Sequence, residues 1–428
     1  MRLRHSDRRT IPVLLAAALA AAPAVLAPAH AQNTETKPAA VTEPATPAAP
    51  ATWSSGITLG AQIEGGFSWN PSYPRGRNNF GQLFTDRANE PILNQILLTA
   101  ARPLDLKAPG YDIGFKLQGL YGSDARYTHL LGVFNHAINN RLQLDIMEAN
   151  ILVHTPWLTE GGIDFKVGLF PTPLGVETID PSSNSFYSRS YIFNFGLPFK
   201  HTGALATVHV NGMIDLYGGL DTGTNTTFGK GGDNNGALGG IFGFGLNLLG
   251  GKLTILALSH IGPENPSRAV VNADKYNRYY NDVAITYKAT DKLTLISELN
   301  YARDDFANAE AYGFAQYTGY ALTDTVTLNA RGEVFRDGRG FFVASFPGVK
   351  DNARAQLGLP NGSIAGTPTT YGAITLGATF KPTLPAPITS LMIRPEIRYD
   401  SALTGNRPFN NGHDRGSFTA ATDFVLAF

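Results

Sequence analysis

From Gly56 to Phe428 the chain repeats one pattern: a run of alternating apolar and polar residues, a gap, then another run. About 16 such runs are legible, at 56–69, 92–101, 111–122, 142–153, 163–170, 201–210, 213–221, 237–249, 252–261, 277–289, 292–303, 311–321, 325–336, 371–381, 389–400 and 417–428. Most have the length that a tilted strand needs to cross a bilayer, roughly 9–11 residues or slightly more. The gaps alternate as well. Asn211-Gly212, Gly250-Gly251, Thr290-Asp291 and Thr323-Asp324 are tight hairpin turns, whereas 70–91, 123–141, 171–200, 222–236, 262–276 and 337–370 are long. Only 304–310 is short among the second set, and 102–110 and 154–162 are the longest of the first. Short turns at one end and long loops at the other mark a membrane-spanning barrel; soluble sandwiches do not sort their connections this way.

Face chemistry sets inside and outside. In 111–121 the odd positions are Tyr111, Ile113, Phe115, Leu117, Gly119 and Tyr121, aromatic at the ends and aliphatic between, as two interfacial girdles around a hydrocarbon band require. Val283 and Ile285 lie between Tyr279 and Tyr287 in the same way. The opposite faces carry Asp112, Lys116 and Gln118, and Asp282, Thr286 and Lys288. Near the C-terminus Leu391, Ile393, Ile397 and Tyr399 alternate with Arg394, Glu396, Arg398 and Asp400. A basic residue on the lipid face costs about 2–4 kcal/mol at mid-depth, so these charges must face water or one another. A soluble barrel would show the same period, but it would have to bury charged inner faces on most strands. Pro395 interrupts this last run and predicts a bulge, because proline cannot donate to a ladder.

Composition agrees. Charged residues make up 16% of the chain against about 25% in ordinary soluble domains, while Gly (46), Phe (25) and Tyr (17) are abundant. Beyond the N-terminus there is no apolar run of about 18 residues, which excludes a helical membrane protein. The absence of cysteine suits passage through an oxidising compartment.

Residues 1–31 read as an export signal: Arg2, Arg4, Arg8 and Arg9, the apolar core Val13 to Leu26, and Ala29-His30-Ala31 before Gln32. Removing four Arg and Asp7 from 34 basic and 34 acidic residues leaves 30 against 33. The mature chain has no basic field for nucleic acid. Residues 32–55, rich in Ala, Pro and Thr, read as a flexible periplasmic tether, and 56–428 as the barrel.

Between the runs 163–170 and 201–210 lie roughly 30 residues with no clean period, a length that in a compact all-strand chain is usually functional or disordered. Phe186, Tyr187, Tyr191, Phe193, Phe195 and Phe199 argue for order, because such side chains need a place to pack. Pro173, Leu174, Gly175, Glu177, Asp180, Pro181, Phe186 to Ser188, Tyr191 to Gly196 and His201-Thr202-Gly203 resemble the signature of the OmpL-like family of β-barrel porins. Glu148-Ala149-Asn150 and Pro156 to Gly162 fit the same pattern. The resemblance spans most of the chain after residue 55 and implies a porin-type barrel, leaving the cargo open. The ending Phe418, Ala420, Phe424, Leu426 and Phe428 is similar to the signal read by the outer-membrane assembly machinery.

The expected fold is therefore all-β: a transmembrane antiparallel β-barrel of about 16 strands with an inward-folded constriction loop. That closure leaves room for water, and the segment after the fifth strand lies where the constriction loop of general porins enters. Glu177, Asp180 and Arg189 on this loop, opposed by Arg331, Glu333, Arg394, Glu396 and Arg398, are the candidate pore lining. Phe186, Tyr187, Tyr191, Phe193 and Phe195 are the candidate loop anchors, or a slide for sugars. Charges of both signs across a lumen order water and favour small polar solutes; the same groups could instead brace the wall as salt bridges. The expected function is passive diffusion of small hydrophilic solutes and ions across the bacterial outer membrane. The alternatives are a solute-selective channel, or a barrel plugged by its loops, especially Asp337 to Thr370 with Phe341, Phe342 and Phe346, acting as an adhesin or anchor. A homotrimer is one expected assembly, with no interface legible. No cofactor, metal or enzyme is expected: the nine His show no metal-ligand spacing, and Asp221-Thr222-Gly223-Thr224, the aspartic-protease tetrapeptide, lacks its necessary second copy.

Overall fold

The computed structural model describes residues 52–105, 110–229 and 231–428. The export signal 1–31 and residues 32–51 of the tether lie outside the described residues. Trp53–Gly56 forms a 3₁₀ turn whose Trp53 Nε1 donates to the Ile113 carbonyl at 2.7 Å.

Sixteen antiparallel strands follow in chain order. They are β1 (Thr58–Trp69), β2 (Pro91–Arg102), β3 (Asp112–Gly122), β4 (Gln143–Thr155), β5 (Ile163–Pro171), β6 (Lys200–Asn211), β7 (Ile214–Thr224) and β8 (Gly239–Leu248). The second half comprises β9 (Leu253–Pro263), β10 (Asn277–Lys288), β11 (Leu293–Asp304), β12 (Ala309–Thr323), β13 (Val326–Asp337), β14 (Thr369–Phe380), β15 (Ser390–Ile393 and Glu396–Ala402) and β16 (Gly416–Ala427). Each pairs with its neighbours in sequence, and β1 pairs with both β2 and β16, so the sheet has no edge. Phe428 completes the seam, its N–H donating to the Ala61 carbonyl at 2.9 Å. Closure matters because an open edge cannot be satisfied in hydrocarbon.

The alternation sorts as the periodicity predicts. Leu98, Leu117, Ile151, Leu220 and Ile374 point outward and are more than half exposed. Exposed Tyr111, Trp157, Tyr287 and Tyr320 ring the short-turn end, and Trp69, Tyr121, Tyr312 and Tyr399 the long-loop end. Facing inward, Arg394, Arg398 and Asp400 are buried beside outward Ile393, Ile397 and Tyr399.

Pro395 does not make a bulge. Phe380 pairs with Ile393, and pairing resumes three residues along on both strands at Gly377 and Glu396, so no extra residue is inserted. The ladder is interrupted while its register holds: the Pro395 carbonyl still accepts from Ala378 N at 3.1 Å, and Arg394 N donates to the Asp423 carbonyl. The bulges fall elsewhere, including Glu64/Gly65, Gln118/Gly119 and His201/Gly203.

The long connections turn inward. Residues 70–90 bury Phe80, Leu83 and Phe84; 338–368 carry a small hairpin pairing Ala344–Ser345 with Ile364–Ala365, and a helix, Asp351–Gln356. Thr172 to Phe199 is another, with Phe186, Tyr187, Tyr191 and Phe193 buried.

Candidate functional site

Thr172 to Phe199 leaves the wall between β5 and β6 and crosses to the opposite side. It begins with Thr172 N donating to the Phe199 carbonyl at 2.9 Å, which pins the two roots together. Asp180 caps the 3₁₀ turn Pro181–Ser183 by accepting from Ser182 N, and Asn184 Nδ2 ties back to the carbonyls of Thr178 and Asp180. Further on, Ile192–Gly196 makes one turn of π-helix. A segment with so little regular structure leaves backbone groups unpaired, and in a lumen wall residues must satisfy them.

Charged wall side chains do so. Glu298 on β11 accepts from Val176 N (2.9 Å), Glu333 on β13 from Tyr191 N (2.7 Å), and Glu396 on β15 from Tyr187 N (2.9 Å). Arg394 donates to the carbonyls of Pro181 (2.8 Å) and Asn184 (2.7 Å), Arg398 to Arg189 O (3.0 Å), and Arg331 to Ser188 O (2.9 Å). Each guanidinium is also ion-paired: Arg331 with Glu177 (2.6 Å) and Glu333 (3.2 Å), Arg398 with Glu333 (3.0 Å) and Asp400, Arg394 with Asp423 and Glu64. All three arginines are about 1% exposed. Hydrogen bonds to charged groups contribute about 1.5–3 kcal/mol each, and removing one member of a buried pair costs about 3–5 kcal/mol, so the network holds the segment firmly.

Apolar packing completes the strap. Tyr191 stacks on Tyr371 (5.0 Å between centroids), Phe193 packs against Phe199 (5.3 Å) and against Phe84 from the 70–90 loop (5.5 Å). The wall makes room with glycines: a Cβ on Gly66 would lie 2.4 Å from the Tyr187 ring, and one on Gly313 2.5 Å from Ile192.

The structure thus joins the eight charged residues expected at a constriction, but in a different role. Glu177, Arg189, Arg331, Glu333, Arg394, Glu396 and Arg398 are all buried, and only Asp180 keeps partial exposure, with Gln62 Nε2 donating to it at 3.0 Å. Arg189 turns back on its own segment, donating to the carbonyls of Phe186 and Tyr187 with its guanidinium over the rings of Phe84 and Phe193. These groups do not oppose one another across open water, and the segment is not a free constriction loop. It is an internal strap, and the charges fasten it because its unpaired backbone needs them. Phe186, Tyr187, Tyr191, Phe193 and Phe195 are all buried. The wall glycines, the acceptor Glu298 and the donor Asn300, whose Nδ2 donates to the Gly196 carbonyl at 3.1 Å, were not singled out from sequence.

Other lumen-facing groups, on the wall of β3 to β7, keep partial exposure. Lys116 pairs with Glu148 at 2.6 Å with its side chain 24% exposed. Partly exposed His154, Asp164, His209 and Asp215 form a chain of contacts at 2.6, 3.1 and 2.7 Å toward the short turns. Lys166 lies between these sets, half-buried.

Comparison with known proteins decides what such a barrel is. The family described as "Putative beta-barrel porin-2, OmpL-like" matches residues 56–428. The chain belongs to that family. It is an outer-membrane porin. No curated protein matches it. Among solved structures the porin is similar to OmpF of Salmonella typhi in complex with daunomycin (TM-score 0.55, 10% identity, covering 88% of this chain and 99% of that one). It is also similar to OprB of Pseudomonas putida (0.52, 12%, 87% and 94%) and to an anion-selective porin from Comamonas acidovorans (0.51, 9%, 87% and 99%). At these identities the likeness is one of fold, and it covers nearly the whole of each barrel.

Proposed function

We propose that the porin passes small hydrophilic solutes and ions passively, along the lumen wall of β3 to β7, beside a strap fixed to the other side. The observation that carries this reading is the division of the lumen's charges. Those touching the strap are buried and spent on its backbone, whereas Lys116, Asp164, His209 and Asp215 stay partly exposed. A wall bearing hydrated charges of both signs admits small polar molecules and disfavours apolar ones. Liposomes holding the purified porin should swell in small sugars and amino acids, with rates falling steeply as solute size rises. Failure to swell in any of them, with the barrel folded, refutes the reading.

A second reading has an observation of its own. The 338–368 loop reaches across the mouth, where Arg126 donates to Phe346 O at 2.5 Å and Gln143 to Val349 O at 2.7 Å. A barrel closed there would serve as a surface anchor, and it would be silent in the swelling assay.

A further inference from the structure

His201, Asp221 and His260 are far apart in sequence and meet on the lumen face of β6, β7 and β9. All three side chains are fully buried. The wall permits the meeting at Gly239 on β8, which pairs with Asp221: a Cβ there would lie 2.7 Å from His260 Nε2 and 3.0 Å from Asp221 Oδ1. His201 Nδ1 stands 3.1 Å from Asp221 Oδ2, and His260 Nε2 3.1 Å from Asp221 Oδ1. One ligand atom from each residue lies within 4.8 Å of the others.

A hydrogen-bonded bracket accounts for only part of this. His201 Nδ1 and Asp221 Oδ2 are close but misaligned, and neither has a hydrogen-bond partner, although both are buried. Orphaned buried polar atoms are uncommon and call for a ligand or a strain. The remaining atoms look like the outer partners of a metal site. His201 Nε2 is 3.1 Å from Thr172 Oγ1, which leaves Nδ1 to face Asp221. His260 Nδ1 is 3.8 Å from Glu264 Oε1, also unpartnered, while the other Glu264 oxygen is held by Thr224 N at 2.9 Å. Gly223 N donates to Asp221 Oδ1 at 2.7 Å, orienting the carboxylate. Metal-binding histidines characteristically hydrogen-bond through their second nitrogen, as His201 does here; His260 Nδ1 faces Glu264 without a hydrogen bond.

We propose that His201 Nδ1, Asp221 Oδ2 and His260 Nε2 bind a divalent transition-metal ion in the lumen wall. Tetrahedral zinc with bonds of about 2.0–2.1 Å places its ligand atoms about 3.3 Å apart, close to the 3.1 Å between His201 Nδ1 and Asp221 Oδ2; the 3.1 Å contact of His260 Nε2 is to the other carboxylate oxygen, Oδ1. The His–His edge closes by ring rotation. Two imidazoles and one carboxylate suit zinc and its neighbours better than calcium or magnesium. Since Thr172 is the first residue of the strap, the ion would also fix where the strap leaves the wall.

The test uses the folded full-length barrel, stripped with chelator, desalted, and loaded with zinc or with cobalt(II). The wild type should retain one zinc per chain, unaffected by excess calcium, and bind cobalt with the intense visible absorption of a tetrahedral site. The paired substitution His201→Gln and His260→Gln should retain none, and Thr172→Val should bind about 10–100-fold more weakly. No zinc on the wild type, or equal zinc on wild type and the His pair, overturns the proposal. If the His pair fails to fold, the cobalt spectrum of the wild type decides: without tetrahedral bands the cluster is only a hydrogen-bonded bracket.

Discussion

Gly66 illustrates how single positions on the inner wall receive the strap. It faces the Tyr187 ring so closely that Gly66→Ala must displace the ring, an overpacking that costs about 1–3 kcal/mol. Gly332, where a Cβ meets nothing within 4 Å, is the matched control, and Gly332→Ala should leave the urea midpoint unchanged while Gly66→Ala lowers it. Arg331 is a second such position. Arg331→Met leaves Glu177 buried without its cation, while Glu333 keeps Arg398, with an expected loss of about 3–5 kcal/mol in equilibrium unfolding. In the loop after β3, burial pushes the Asp124 carboxyl up to about 7, against the hydrogen bonds from Gln95 and Asn94. The folded state therefore holds this proton more tightly than the unfolded state. Its contribution is greatest below the unfolded value near 3.8 and is lost as pH climbs through about 7. Unfolding midpoints taken from pH 5 to 8 should fall more for the wild type than for Asp124→Asn.

At the scale of elements, the strap is the feature that distinguishes this lumen. Deleting Ser182 to Arg189 removes the stretch that Arg331, Glu396 and Arg398 hold, and single-channel conductance should rise as that half of the lumen empties. Unchanged conductance in a folded variant would show that ions never pass beside it. The strands themselves were legible because a period of two with charges on one face has few other solutions in lipid: Arg394, Glu396 and Arg398 could only point inward. What they point at was not legible. Periodicity reports which face a residue takes, and is silent on whether water or a folded-back loop lies beyond it. Thus the same charges read equally well as pore lining or as clamps, and the backbone of Thr172 to Phe199, lacking its own ladder, made them clamps. Pro395 misled in a simpler way: losing one donor interrupts a ladder, but an inserted residue is needed to shift it. That His201, Asp221 and His260 meet was not legible, because strands bring together residues that no short spacing connects.

For the whole molecule, the closed sheet sets an apolar belt against lipid, and inside it the strap is held by buried charges while Lys116, Asp164, His209 and Asp215 on the β3 to β7 wall keep partial exposure. The family relationship makes it an outer-membrane porin, and the path proposed for it runs along β3 to β7. Ion selectivity should follow the hydrated charges and ignore those buried under the strap. The reversal potential of single channels in a salt gradient tests this most directly. Replacing Lys116 and Lys166 together by Gln should move it toward cation preference, while Arg189→Gln, at a buried guanidinium turned onto its own segment, leaves it in place. A reversal potential that stays fixed in the lysine pair and moves with Arg189 would contradict the account.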